Sequence, residues 1–341
     1  MSEPTGLDAL GVTFASFSAL GPDKALAAAR LAEELGYRSF WTAEASGTEA
    51  FSVLAAAGQA APSLDLGTGI VPIQIRSPLL TAMAAATLQA LHPERDILLG
   101  IGISSPVITE RWHGVPYGGE KPLARMREYV TLLRELLSGE AVSFAGDHYQ
   151  VSGARLAVRL GERRPKIVLA ALNPGMLRLA GELADGAVLN YIPASHVAWS
   201  VEHVRAGEAA AGRPQGACRI HAYVHAGVCE REPALEPARR DLFSYAVVDG
   251  YARNFARAGY GDEIAAIRAA HAAKDRKGAV AAVSDRMVDD IDPVGDAALV
   301  RRVVESYAAA GVESPVLMPL PWGPDRMGVV EATMRAAAGA A

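Results

Sequence analysis

The feature that most constrains this chain is an alternation, from residue 11 onward, of short apolar runs with longer helical patterns. Strands are expected at Val12–Phe17, Ser39–Thr42, Asp65–Val71, Asp96–Ile101, Lys166–Ala170, Ala187–Tyr191, Arg219–Val228 and Pro315–Pro319. Eight such runs are what a closed (β/α)8 TIM barrel requires. Ile97-Leu98-Leu99 and Ile167-Val168-Leu169 are apolar on both faces, as parallel strands covered by helices must be. Between strands, Met176, Leu179, Ala180 and Leu183 recur at i, i+3, i+4 and i+7, one stripe of a helix facing a core. Gly36 and Gly186 stand where helix C-terminal caps are expected. The alternation fixes an α/β class. By itself it fits an open doubly wound sheet as well as a barrel.

Two segments exceed the minimal strand–helix unit. Residues 139–165 hold Val142-Ser143-Phe144, the turn Ala145-Gly146-Asp147 and His148-Tyr149-Gln150-Val151, which reads as a hairpin before the fifth strand. Residues 233–296 are polar and helical, an expected insertion between the seventh strand and the last helix. No repeat or low-complexity linker divides the chain, so one barrel domain over residues 1–341 is expected.

A formal charge of −5, with Lys and Arg scattered, offers no footprint for nucleic acid or an anionic membrane. Cys218 and Cys229 lack zinc-type spacing and read as core thiols, so no metal is expected. Met1–Thr5 shows no basic region followed by an apolar one, and charges interrupt the Ala-rich stretches, so a cytoplasmic protein is expected.

Common motifs fail on inspection. Gly100-Ile101-Gly102 follows a strand, but Ser105 stands where a dinucleotide fingerprint needs its third glycine. There is no phosphate loop of the GxxxxGK[ST] type and no GxSxG elbow. His221 and His225 lie on an expected strand, about 13 Å apart, too far to share an ion.

Several blocks are more specific when taken together. They are Trp41-Thr42-Ala43-Glu44-Ala45, Leu66-Gly67-Thr68-Gly69-Ile70-Val71, Leu99 to Pro106 and Glu110-Arg111-Trp112-His113-Gly114. Lys121-Pro122-Leu123-Ala124-Arg125, Leu169 to Gly175 and Ala184-Asp185-Gly186-Ala187 complete them. In this order, from about residue 11 to 335, the chain resembles the F420-dependent oxidoreductase branch of the luciferase-like monooxygenase superfamily. The resemblance implies a barrel whose site lies at the C-terminal mouth of the strands, where each block falls.

It further implies coenzyme F420 as cofactor and hydride transfer to or from a small organic molecule with an activated C=C, C=N or C=O bond. Thr68, Gly69 and Ile70 would form a bulge behind the ring, with a non-prolyl cis peptide at Gly69–Ile70. Gly102, Ile103, Ser104 and Ser105 would meet the cofactor after the fourth strand. Ala171, Leu172, Asn173 and Gly175 would cradle its phosphate at a helix N-terminus. Asn173 stands where the family has Gly, and Asn tolerates the left-handed backbone such a cradle would need. Glu44 matches the acidic position beside the reactive carbon, where it would handle a proton or serve as a structural carboxylate. His113 is the second candidate for proton handling. Trp112 would line the substrate pocket or pack in the core. Phe14, Phe17 and Tyr191 are expected to shape an apolar substrate space.

Members acting on a sugar phosphate carry His at the place of Ala45 and Glu at that of Ser105, so their acid–base pair does not transfer. Two alternatives stay open: a monooxygenase using reduced FMN on the same fold, and a non-catalytic flavin-binding barrel. The Ala-rich helices offer surface for a homodimer.

Overall fold

The computed structural model describes residues 6–117 and 121–340; the Met1–Thr5 segment read above lies outside the described residues. In chain order the strands are β1 Gly11–Thr13, β2 Ser39–Thr42, β3 Asp65–Thr68, β4 Val71–Pro72, β5 Ile97–Gly102, β6 Val142–Ala145, β7 Gln150–Ala154, β8 Lys166–Ala170, β9 Gly186–Leu189, β10 Arg219–Val228, β11 Val294–Gly295 and β12 Ser314–Pro319. The helices are α1 Pro22–Glu34, α2 Ala50–Ala60, α3 Pro78–Leu91, α4 Pro122–Leu137, α5 Pro174–Leu183, α6 Ala194–Ala210, α7 Arg231–Ala246, α8 Asp249–Phe255, α9 Gly261–Ala272, α10 Arg276–Ala281, α11 Asp285–Ile291, α12 Ala297–Ala309 and α13 Arg326–Ala338.

Parallel pairing runs β12-β1-β2-β3-β5-β8-β9-β10, and β10 returns to β12, which closes the barrel. Alternation along each strand separates two cores. Trp41, Leu98, Val168, Val188, Tyr223, Val316 and Met318 fill the lumen, one cluster drawn from six strands. Their neighbours, such as Phe40, Leu99, Leu169, Leu189, Val224 and Leu317, face the helices in the larger core. Both faces are buried, which is why the middles of β5, β8 and β9 read as apolar runs without alternation.

Small residues set the closest approaches. Gly67 lies beside Trp41 in the β2–β3 register, and a Cβ there would come within 2.4 Å of the indole. Helices α5 and α6 meet through two glycines. A Cβ on Gly181 would lie 2.0 Å from the Val204 carbonyl oxygen, and one on Gly207 would lie 2.0 Å from that of Arg178. Gly207→Ala is therefore expected to destabilise the fold by about 1–3 kcal/mol, since neither backbone can yield alone. Urea unfolding reads this directly, and an unchanged midpoint would remove the close-packing argument.

The structure corrects three sequence expectations. The first strand stops at Thr13, and residues Ala15–Leu20 form a 3-10 turn instead of continuing to Phe17. Phe14 and Phe17 have no exposed surface and pack edge to face with ring centroids 5.0 Å apart. Their apolarity reports burial, not an extended backbone. The third strand is interrupted between Thr68 and Val71, at the Gly69–Ile70 peptide, which is cis. Gly186 does not cap a helix but opens β9, while Ala184 ends α5 in an extended conformation. Gly36, by contrast, does adopt the left-handed conformation, with φ of 76°.

The hairpin β6–β7 is antiparallel, inside the segment expected for it. Helices α7 to α11 fall between β10 and β12 and carry a core of their own, including Leu242, Phe255, Tyr260, Ile267, Met287 and Ile291. Tyr191, just past β9, reaches into that core from the barrel. The segment starts after Val228 and returns through β11, which pairs with β10 at Gly227↔Val294 and Val228↔Gly295. Among the described residues no helix is long and apolar enough to cross a membrane.

Candidate active site

Four strand tips meet at the C-terminal mouth. The Glu44 N–H donates to the Ile70 carbonyl at 3.0 Å, joining the loop after β2 to the cis step after β3. Ile73 N–H donates to Gly102 O at 3.1 Å, and Ser104 N–H to the Gln74 side chain at 3.3 Å, joining that step to the end of β5. A Cβ on Gly102 would sit 3.0 Å from the Ile70 side chain and 3.1 Å from that of Ala170, so the end of β8 closes the group. The Tyr223 hydroxyl crosses the lumen from β10 and donates to Gly69 O at 2.8 Å. A Cβ on Gly69 would fall 1.7 Å from that hydroxyl, and one on Gly100 would fall 1.7 Å from Thr68 O. Only backbone fits at these two points.

Glu44 is anchored. Arg76 donates from Nε to Oε2 at 2.8 Å and from Nη2 to Oε1 at 2.5 Å, and Ala50 N–H donates to Oε1 at 3.2 Å. The same guanidinium reaches Glu49, whose carboxylate caps α2 through the N–H groups of Phe51 and Ser52. Hydrogen bonding to Glu44 raises the Arg76 pKa above its ordinary value despite burial. Both Glu44 oxygens are thus committed, and of its two expected roles the geometry matches the structural carboxylate. Sequence reasoning missed Arg76, which carries no motif of its own.

His113 lies on the exposed loop after β5, and its Nε2 is 3.2 Å from Ala45 O, beside Glu44. Trp112 is 55% exposed on the same loop, so it is not a core residue. Val107 and Leu123, in the same stretch between β5 and β6, are exposed apolar residues as well. Ile103 packs partly into the core, and Ser105 spends its hydroxyl on the Ile108 N–H.

Four residues do not stand where the sequence reading put them. Thr68 is buried, and its hydroxyl donates to Gly100 O at 2.8 Å within the sheet, leaving no side-chain donor for a ligand. Phe14 and Phe17, without exposed surface, line no pocket. Tyr191 is 4% exposed and stacks beneath Tyr245, with centroids 3.8 Å apart, so it belongs to the wall behind the mouth.

The turn after β8 presents the helix N-terminus expected there, but Asn173 is not in the expected conformation and a cation stands beside it. Asn173 is extended (φ −115°, ψ 151°), not left-handed. Its side chain does not cap α5; Nδ2 donates to Gly250 O at 3.3 Å, and Oδ1 accepts from Arg257 at 2.6 Å. Arg257 also donates to Leu172 O at 3.2 Å, so a cation leans over a helix N-terminus that lacks a side-chain cap. Pro174 brings no N–H, and Gly175 and Met176 begin the donor series. Ala171 is buried, bonded to Val188 O at 3.2 Å. Arg257 comes from the helical segment, where nothing in the sequence ties it to α5.

A cavity of about 350 Å³ lies at the other end of the barrel, among the strand starts. Its charges pair with one another, Arg38 with Asp65 at 2.6 Å and Lys166 with Asp96 at 2.9 Å. In this fold that face serves stability and the opposite one chemistry.

The sequence profile described as "Luciferase-like monooxygenase" matches residues 10–314. The chain belongs to this family. Within it, the chain is 30% identical over 303 residues to the 5,10-methylenetetrahydromethanopterin reductase of Archaeoglobus fulgidus, covering 87% of this chain and 89% of that one. It is 36% identical over 185 residues to the F420-dependent glucose-6-phosphate dehydrogenase of Intrasporangium calvum, covering 50% and 55%. Among solved structures, the coenzyme F420 dependent tetrahydromethanopterin reductase of Methanopyrus kandleri superposes with a TM-score of 0.77 at 21% identity, over 98% of each chain. That likeness concerns the luciferase-like fold alone.

Proposed function

We propose that the chain is a coenzyme F420-dependent oxidoreductase that transfers a hydride between the deazaflavin and a small organic substrate bearing an activated C=C, C=N or C=O bond. The observation that carries this reading is the convergence of the β2, β3, β5 and β8 tips around glycines that admit only backbone, beside an uncapped α5 N-terminus under Arg257. A flat ring suits the first feature and an anionic tail the second. The F420-dependent relatives support the same cofactor.

Gly69, Ile70 and Gly102 would back the ring. Ser104, Ser105 and residues Leu172 to Gly175 would face the phosphate, with Arg257 supplying charge. Trp112 and His113 would stand on the substrate side. When bound, the reduced deazaflavin supplies the hydride; the protein supplies binding, orientation and a proton. The chain acts as one barrel domain with insertions at about residues 139–165 and 233–296, and as a cytoplasmic homodimer. Leu80, Met83 and Leu91, spaced along α3 and 47%, 48% and 52% exposed, support the dimer as an apolar stripe in need of cover.

Titration of the purified chain with F420 and with FMN, followed by fluorescence quenching, tests the reading. A saturable response to F420 and none to FMN is expected. Saturable FMN binding with oxygen consumption on adding reduced flavin would replace it with a monooxygenase.

A further inference from the structure

The guanidinium of Arg257 is held from two sides. Its Nη2 is spent on the α5 turn, donating to Leu172 O at 3.2 Å and to Asn173 Oδ1 at 2.6 Å. Its central carbon stands 5.1 Å from the centre of the Trp199 ring, so the planar cation rests on an indole supplied by α6. Among the described residues no carboxylate pairs with Arg257, and no hydrogen bond engages its Nε or Nη1. Partial burial, then the charge of Arg253 on α8, lowers its pKa below the ordinary value, as befits a cation without a counter-charge. With Nε and Nη1 unspent beside the N–H groups that open α5, the fork is an unfinished anion site.

Trp199 is itself fixed. His196, Trp199 and His203 fall at i, i+3 and i+7 on α6, one face of that helix. The His196 ring stacks on the indole, with centroids 4.7 Å apart and planes 18° apart. The His203 ring lies 4.1 Å from it at 39°. His203 Nδ1 is 2.9 Å from the Trp199 carbonyl, which only accepts, so the imidazole donates there and its place is set. An indole packed against two imidazoles keeps one orientation.

Arg257 arrives on an irregular piece of chain. Residues Ala256–Tyr260 form a single π-type turn between α8 and α9. Within it Gly259 is left-handed, with φ of 100°, and its carbonyl accepts from Arg286 at 2.8 Å. Widened turns of this kind recur at functional sites. Three separate elements, the α5 turn, the α6 face and the helical segment, therefore meet at one side chain.

We propose that Trp199 is a positioning residue for the cofactor's phosphate. It holds the Arg257 plane so that Nε and Nη1 face an anion seated at the α5 N-terminus. This alignment makes the chain select a phosphorylated deazaflavin over the same ring system without phosphate. The inference rests on the F420 reading and assigns the origin of its tail specificity. Arg257 touches the phosphate; Trp199 acts through Arg257, with His196 and His203 packed against it. Because the fork is set before the ligand arrives, binding does not have to order a long, mobile side chain.

The test is equilibrium binding to the full-length chain, read by quenching of deazaflavin fluorescence. Two probes are compared, F420 and the deazaflavin ring carrying only its ribityl chain. Wild type is expected to prefer F420. Trp199→Ala should weaken F420 about tenfold and Arg257→Ala about 30-fold. The double variant should bind no worse than Arg257→Ala alone, since Trp199 has no route to the phosphate except the guanidinium. Trp199→Phe, which keeps an aromatic face, should return to within about threefold of wild type. The phosphate-free ring should bind every variant as it binds wild type, which separates a misaimed arginine from a damaged fold. Undiminished F420 affinity in Trp199→Ala, an equal loss for the phosphate-free ring, or a further loss on adding Trp199→Ala to Arg257→Ala overturns the proposal and leaves the F420 reading in place. So does a wild type that binds the two probes alike. A wild type that binds neither deazaflavin brings down the F420 reading, and the role of Trp199 falls with it.

Discussion

Arg76→Ala is expected to melt about 3–6 °C below the wild type and to lose measurable F420 binding. The side chains of Arg76 and Glu44 are only 13% and 10% exposed, and Arg76 is the sole cation paired with both Glu44 and Glu49 among the described ion pairs. Removing the guanidinium leaves two carboxylates facing each other across the loop after β2. Breaking a pair this buried costs about 3 kcal/mol, because the remaining charge keeps its desolvation penalty without its partner. At about 2.1 cal/mol/K of unfolding entropy per residue, a chain of 341 residues moves its Tm by only about 1–2 °C for each kcal/mol. Binding fails for a geometric reason: the loop that Arg76 holds is bonded to Ile70, the residue at the cis step. Arg76→Lys should recover less than half of the loss, since an ammonium cannot offer the two parallel donors that Glu44 accepts. A melting curve and a fluorescence titration suffice. An Arg76→Ala protein that melts with the wild type and binds F420 normally would show that the ion pair is ornamental.

Gly100→Ala should be at least as damaging. Its Cβ would lie 1.7 Å from Thr68 O and 2.9 Å from the Thr68 carbonyl carbon, both backbone atoms of the adjoining strand. Relief requires β3 and β5 to separate, which breaks the Leu66↔Ile97 and Gly67↔Leu98 register and releases the Thr68 hydroxyl from Gly100 O. Overpacking of this kind costs roughly 3 kcal/mol or more, enough for largely insoluble expression. The control is Gly114→Ala. Gly114 has φ of 66° but nothing within 4 Å of its absent Cβ, so only about 1 kcal/mol of backbone strain is at stake. Equal yields and equal Tm for the two variants would contradict the account.

Much of the barrel was legible in the residues. Ser39–Thr42, Lys166–Ala170 and Arg219–Val228 occur with the bounds the sequence suggests, because in each a polar or charged residue marks the start of a run buried on both faces. The first strand was overextended because Phe14 and Phe17 are as buried in a 3-10 turn as they would be in a sheet. At the mouth, the position of Glu44 and the Gly69–Ile70 step followed from family resemblance, not from periodicity. Arg76 and Arg257 could not be found in this way. Their partners Glu44 and Asn173 lie 32 and 84 residues away in the chain, and no local pattern encodes a contact at that separation. The conformation of Asn173 was misread for a related reason. Its side chain answers to Arg257 and Gly250 in the helical segment, not to the turn in which it sits.

The pairing of β11 with the end of β10 means that the polypeptide departs from the barrel and rejoins it at almost the same spot. Whatever is threaded between Val228 and Val294 leaves and re-enters at one place, and the strand pairing that closes the barrel runs without it. Exchanging that stretch between related proteins would change what stands over the α5 turn, since Arg257 would travel with it while the strand tips stay behind. The graft would have to respect the points where the removable piece meets the permanent frame: Gly250 and Arg257 against Asn173, Asp241 against Tyr191, and the Asp292 carboxylate against His225.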